Sequence, residues 1–187
     1  MSKSDDRLNH SIEFQPVNIA VMTVSDSREA SNDKSGDLLV ERLTGDGHRL
    51  AGRAIITDDV AAITAQLKIW IADETIDAVI TTGGTGLTGR DVTPEALRGL
   101  FDKEIEGFGE LFRFLSYQKI GTSTVQSRAL AGVAGGTYIF ALPGSPSGCK
   151  DGWDDILHYQ LDIRHKPCNF VEIMPRLREA VDQRRRG

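Results

Sequence analysis

The chain has 187 residues, with 22 Lys and Arg against 27 Asp and Glu and a formal net charge of −5. At roughly 150 residues per domain it is one domain, and its 40% hydrophobic residues with 19 glycines exclude a disordered or collagen-like chain. The negative balance predicts no long-range attraction to nucleic acid or an anionic membrane, so any phosphate must be gripped locally.

Residues 1–16 are polar, with Asp5, Asp6 and Arg7, and read as a flexible tail lacking the apolar core and cleavage site of a signal peptide. Val17 to Thr23 is a short run rich in β-branched residues that leads into Ser25-Asp26-Ser27, which predicts a buried strand and a polar exit loop. Ser35 is expected to cap a helix carrying Leu38, Leu39 and Leu43, which stops at Gly45-Asp46-Gly47. Arg49 to Thr57 predicts the second strand. Asp58 or Asp59 then caps a helix with Val60, Ile63, Leu67 and Ile71 at spacings of three and four, so Asp58 is either a cap or a site residue.

Asp77 to Thr82 predicts the third strand, which runs straight into Gly83-Gly84-Thr85-Gly86-Leu87-Thr88-Gly89. Thr93-Pro94 predicts a cap followed by proline at the first helical position, with Leu97, Leu100 and Phe101 inward. Phe108, Leu111, Phe112 and Leu115 recur at amphipathic helical spacing. Thr137 to Leu142 predicts the fourth strand, which leaves through Pro143-Gly144-Ser145-Pro146-Ser147-Gly148. Asp151 to Leu161 predicts the last helix, with residues 171–187 as a second tail ending in Arg184-Arg185-Arg186.

Short apolar strands alternating with helices predict a single three-layer doubly wound α/β domain with a mostly parallel sheet. No apolar stretch approaches the ~20 residues that cross a bilayer, and two cysteines are too few for a disulfide framework. The expectation is a soluble, cytoplasmic chain. Cys149 has no histidine placed to activate it, and His165 with Cys168 supplies two ligands where structural zinc needs four. His10, His48 and His158 read as surface residues.

In such sheets ligands bind beyond the carboxyl ends of the strands. The exits here are Ser25-Asp26-Ser27, Thr57-Asp58-Asp59, Thr82 to Asp91 and Pro143 to Gly148, all built from small and polar residues. Gly84 to Gly89 spells G-x-G-x-x-G, but Pro94 delays the helix, and Glu104 and Glu106 fall in a helical stretch rather than at the end of the next strand, so the dinucleotide fingerprint fails. The Walker loop fails too, because Arg90 and Asp91 stand where Lys and Ser or Thr belong. What remains is a run of glycines whose amides can approach an anion, beside Thr81, Thr82, Thr85 and Thr88 as hydroxyl donors, a cradle for phosphate or pterin. A carboxylate beside a phosphate is repulsive unless a cation lies between them, so Asp91 points to Mg²⁺; the alternative is that it caps the helix at Thr93.

Thr81-Thr82-Gly83-Gly84-Thr85-Gly86, followed by Arg90-Asp91-Val92-Thr93-Pro94-Glu95-Ala96 and by Leu142 to Pro146, resembles the MoaB/Mog family of molybdenum cofactor biosynthesis proteins. The match runs from about Val17 to Phe170. Glu106 to Glu110, Ile120 to Ser123, Gln126 to Arg128 and Lys166 to Phe170 are most similar to the MoaB branch.

The resemblance implies an α/β fold, molybdopterin binding, and assembly as homotrimers or homohexamers. In the Mog branch it implies adenylylation of molybdopterin by Mg-ATP, with Asp58 and Asp91 as the catalytic, metal-holding pair. The contacts implied for molybdopterin and nucleotide are Ser25 and Asp26, then Thr82, Gly83, Gly84, Thr85 and Gly86, then Pro143, Gly144, Ser145, Ser147 and Gly148. A non-catalytic molybdopterin-binding or assembly protein of the same fold is the alternative.

Overall fold

The computed structural model describes residues 7–179; Asp5, Asp6 and the Arg184-Arg185-Arg186 run lie outside them. Six strands form one sheet in the order β2-β1-β3-β6-β5-β4. β1 (Asn18–Val24), β2 (Arg49–Ile56), β3 (Ala78–Thr82) and β6 (Thr137–Leu142) run parallel. β4 (Lys103–Glu104) and β5 (Leu130–Ala134) add an antiparallel edge.

Side chains of successive strand residues point to opposite faces, and the core divides accordingly. Ile19, Val21, Ala78, Ile80, Tyr138 and Phe140 meet α1 (Lys34–Gly45), α4 (Glu106–Ile120) and α5 (Pro146–Gly152) on one face. Ala20, Met22, Val79, Ile139 and Ala141 meet α2 (Val60–Ala72) and α3 (Thr93–Arg98) on the other. This is the expected three-layer α/β arrangement. Leu39, Leu43, Ile63 and Leu67 are fully buried at the predicted helical spacings, each contributing about 1.5–3 kcal/mol by leaving water.

Several local expectations change. Asp33, not Ser35, caps α1: its side chain accepts from the Gly36 amide, while the Ser35 hydroxyl donates to the Gly144 carbonyl at 2.9 Å. β2 is an edge strand, half-buried to exposed rather than buried. β5 was not anticipated, because Leu-Ala-Gly-Val-Ala offers no alternation; Gly132 faces Phe101, whose ring a Cβ would meet at 2.5 Å. Glu104 lies in β4, not a helix. The last helical run starts at Pro146, earlier than expected, and continues through a π turn at Trp153–Leu157 into α6 (His158–Gln160).

The described parts of both tails pack on the domain. Leu8 bridges to His165, Phe14 lies 5.2 Å from the His48 ring, and Val171 of α7 (Phe170–Ile173) is buried in the core. His48 is buried rather than superficial. Its Nδ1 accepts from the Val17 amide at 3.2 Å, and burial holds its pKa below the ordinary value. His158 is half-buried against Asp46, at 2.8 Å. Among the described residues no helix is long and apolar enough to cross a membrane.

Candidate functional site

β1 has β2 on one side and β3 on the other, so the chain leaves it in opposite directions and a crevice opens beyond its carboxyl end. The four exits meet there. The Ser25 amide donates to the Ile56 carbonyl at 2.8 Å, and the Asp58 amide to Asp26 Oδ1 at 3.2 Å. Thr82 Oγ1 donates to the Pro143 carbonyl at 2.8 Å, and Gly144 stacks on Gly83 so closely that a Cβ would lie 3.2 Å from the Gly83 Cα.

Backbone conformation explains the first two glycines of the loop. Gly83 and Gly84 have φ of +101° and +62°, and a Cβ on Gly83 would sit 2.2 Å from the Val24 carbonyl oxygen. Thr93 does not cap α3. Its hydroxyl donates back to the Gly83 carbonyl at 2.9 Å and pins the loop to the helix. Asp91 is not a cap either: its Oδ2 accepts from the Thr88 amide at 2.8 Å and the Thr88 hydroxyl at 2.6 Å.

Asp59 caps α2, accepting from the Ala62 amide at 2.8 Å, and the Asp58 carboxylate lines the crevice instead. Among the threonines expected as donors, Thr82 and Thr88 are engaged within the loops. Thr81 shares the Val79 face of β3, where its hydroxyl is buried without a hydrogen-bond partner, so it is not part of the cradle.

Two neighbouring clefts share Gly84, Asp91 and Gly144. The larger, about 420 Å³, lies between the glycine loop, the Pro143–Gly148 segment and the last turns of α4. The smaller, about 200 Å³, is lined by Ser25, Arg28, Asp58, Thr82 and Gly83 as well. Every expected contact except Asp26 lines one of them. Asp26 instead braces the rim, where it accepts from the Asp58 amide and pairs with Arg90.

The sequence reading missed Arg28, Arg128 and the larger cleft's wall of Phe112, Ser116, Thr124 and Asp151. Phe112 carried an amphipathic helical signal and is buried, and Arg128 lay in a segment that carried the family resemblance, but neither signal pointed to this site. Ser145 is committed locally, because its Oγ caps α5 by accepting from the Gly148 amide at 3.1 Å.

The carboxylates have unequal environments. Burial raises the pKa of Asp58, and the charges of Asp26 and Asp91 push it further up. The Thr88 hydroxyl bond is the main cause holding Asp91 below the ordinary carboxylate value, with further help from Arg128. A Cβ on Gly84 would come within 3.0 Å of Asp58 Oδ1, and one on Gly86 within 2.7 Å of Asp91 Oδ2.

The glycines therefore leave room in front of both acids. No group of three His, Cys, Asp or Glu among the described residues can hold an ion alone. Two hard carboxylate donors beside an open cradle fit a small hard cation that takes its remaining ligands from phosphate and water. Cys149 is buried, with its thiol pushed up to about 11 by desolvation, and stays protonated.

Fold and site together define an open α/β sheet protein with a glycine loop and an acidic rim at its switch point. Residues 20–163 match the family described as "Probable molybdopterin binding domain". Molybdenum cofactor biosynthesis protein B of Escherichia coli K12 is 51% identical over 160 residues, spanning 86% of this chain and 94% of that one. The Staphylococcus epidermidis protein of the same name is 46% identical, over 73% of this chain and 80% of its own.

A crystal structure of a molybdenum cofactor biosynthesis protein B superposes with a TM-score of 0.80 at 37% identity, covering 88% of this chain and 98% of that one. The tungsten cofactor synthesizing protein MoaB of Pyrococcus furiosus gives 0.70 at 35%, with the same coverage. The chain belongs to the MoaB/Mog family of molybdenum cofactor biosynthesis proteins, in its MoaB branch, and carries that family's molybdopterin-binding domain.

Proposed function

We propose that the chain adenylylates molybdopterin with Mg-ATP. A terminal phosphate oxygen of molybdopterin attacks the α-phosphorus of ATP, the bond to the β-phosphate oxygen breaks, and adenylyl-molybdopterin and pyrophosphate leave. The observation that carries this reading is the pairing of Asp58 and Asp91, from different strand exits, across the Gly84–Gly86 cradle. A phosphate monoester has its second pKa near ~6, so its nucleophile is already ionised and no general base is required. Catalysis then reduces to positioning and charge neutralisation.

Asp58 and Asp91 would hold Mg²⁺, whose charge offsets repulsion between the two anions and stabilises the leaving pyrophosphate. The amides of Gly83 to Gly86 orient a phosphate, and the Pro143–Gly148 segment with the α4 wall encloses the pterin. Phe112 supplies an apolar surface there, and Ser116 and Thr124 supply hydroxyls. A homotrimer or homohexamer belongs to the same proposal. It is supported by the exposed apolar side chains of Phe114, Tyr117 and Ile120 along α4.

The second reading, a protein that binds molybdopterin without transforming it, is favoured by the local bonds of Asp91, whose Oδ2 already serves the loop through Thr88. Incubation with molybdopterin, ATP and Mg²⁺ decides between them. Pyrophosphate release supports adenylylation, and tight binding without release overturns it.

A further inference from the structure

The two clefts are strongly biased in charge. Asp58, Asp91 and Asp151 line them, and among the described residues that do so Arg28 is the one cation. Two other arginines reach the rim, but both are engaged: Arg90 with Asp26, and Arg128 with Glu95 and two loop carbonyls. Arg28 is different. Its Nη1 donates to the Ser35 hydroxyl at 3.2 Å and its Nη2 to the Gly144 carbonyl at 2.9 Å, both neutral acceptors.

The carboxylate beside it, Asp33, is already satisfied. Its Oδ1 accepts from the Gly36 amide at 3.0 Å, and its Oδ2 takes the Thr23 hydroxyl at 2.7 Å and Arg53 at 3.1 Å. Arg28 stands 3.5 Å from Asp33 Oδ1, beyond a strong charge-assisted bond, and keeps 28% of its side chain exposed. The guanidinium is thus fixed in direction by two bonds to neutral groups, shares its ion-pair partner Asp33 with Arg53, and borders the smaller cleft.

We propose that Arg28 binds phosphate oxygens in the smaller cleft. The inference rests on the reading above that phosphorylated substrates enter these clefts, and it names the residue that meets them. A planar fork of N–H donors matches phosphate geometry better than a point charge. An arginine anchored before the ligand arrives loses little side-chain freedom on binding. Arg28 lines the same cleft as Asp58 and Asp91, so a positive group and the acids border one space.

The source of the phosphate is either the polyphosphate of the nucleotide or the monoester of the pterin. Titration calorimetry with Mg²⁺-pyrophosphate and with inorganic phosphate separates them. Arg28→Met is expected to weaken the bound anion about tenfold or more, the effect of losing one charged hydrogen bond, while Arg28→Lys recovers part of the loss. A loss confined to pyrophosphate assigns the nucleotide, and one confined to phosphate assigns the pterin.

Ser35→Ala removes a brace on the Gly144 carbonyl and one of the two anchors of Arg28 but keeps the charge, so its loss should be clearly smaller than that of Arg28→Met. The proposal is overturned if Arg28→Met binds both anions like wild type, if Ser35→Ala loses as much as Arg28→Met, or if wild type binds neither anion. Failure of adenylylation reads out separately, as anion binding intact without pyrophosphate release from molybdopterin and ATP.

Discussion

Arg128 donates from Nη2 to the backbone carbonyl of Asp91 at 2.7 Å, and from Nε to the Gly86 carbonyl at 2.8 Å. One guanidinium, just ahead of β5, therefore ties both ends of the loop that carries Asp91. Removing it in Arg128→Met costs about 2 kcal/mol on the scale of charged hydrogen bonds, which at this size lowers Tm by roughly 4–8 °C. The amides of Gly86 to Asp91 should also exchange faster with solvent. Unchanged Tm and exchange rates would show that Thr88 alone holds the loop.

Asp91→Asn keeps an acceptor for the Thr88 amide and hydroxyl, so the loop should remain formed and molybdopterin affinity should stay within about threefold. Pyrophosphate release should fall at least about a hundredfold, because a neutral amide holds Mg²⁺ poorly. Steady-state kinetics beside a binding titration separates the two effects. An unchanged turnover would remove Asp91 from the chemistry.

The space in front of Asp91 depends on Gly86. A Cβ there would lie 2.7 Å from Asp91 Oδ2, and Gly86 does not have the positive φ of Gly83 and Gly84. Gly86→Ala should therefore displace the carboxylate without straining the backbone, lowering turnover about tenfold or more, with any loss in Tm limited to the displaced Thr88 bonds. Gly84→Val tests the cradle less cleanly. Its φ of +62° and the Thr93 hydroxyl, 2.4 Å from a Cβ, make destabilisation the expected result.

Asp58 carries a pH signature. Its folded-state pKa is raised, so the folded protein binds more protons than the unfolded chain between the ordinary value of 3.8 and the raised one. Stability contributed by this group therefore falls as pH rises through that window, and the penalty stays constant above it. Asp58→Asn should raise Tm at pH 7, and the gain should vanish below pH 3.8. Thermal melts across pH test the sign; a lowered Tm at pH 7 would mean that Asp58 is held by a favourable partner.

The α4 face with Phe114, Tyr117 and Ile120 predicts self-association. Sedimentation at micromolar concentration should show a species heavier than 20.5 kDa, and Phe114→Glu should shift it toward that mass. A wild-type chain that sediments only at 20.5 kDa would refute the oligomer.

What the sequence determined by itself was whatever depends on neighbours within a few residues. The buried strands followed from their apolar runs, the helices from i, i+3 and i+4 spacing, and the four exits from clustered Gly, Ser, Thr, Asp and Pro. The residues of the glycine loop identified the family for the same reason, since tight positive-φ turns tolerate few substitutes at Gly83 and Gly84.

Tertiary structure alone decided which of two adjacent acids lines the crevice. Asp59 reached the Ala62 amide, and Asp58 turned to the crevice. It also decided that Ser35 braces Gly144 and that His48 is buried. Arg28 lies 116 residues from the carbonyl it holds, and Arg128 lies 42 from Gly86. Periodicity within one helix or strand carries no information about such distances. These contacts arise only when parallel strands bring their carboxyl ends to one edge, where long side chains from separate exits meet the same loop.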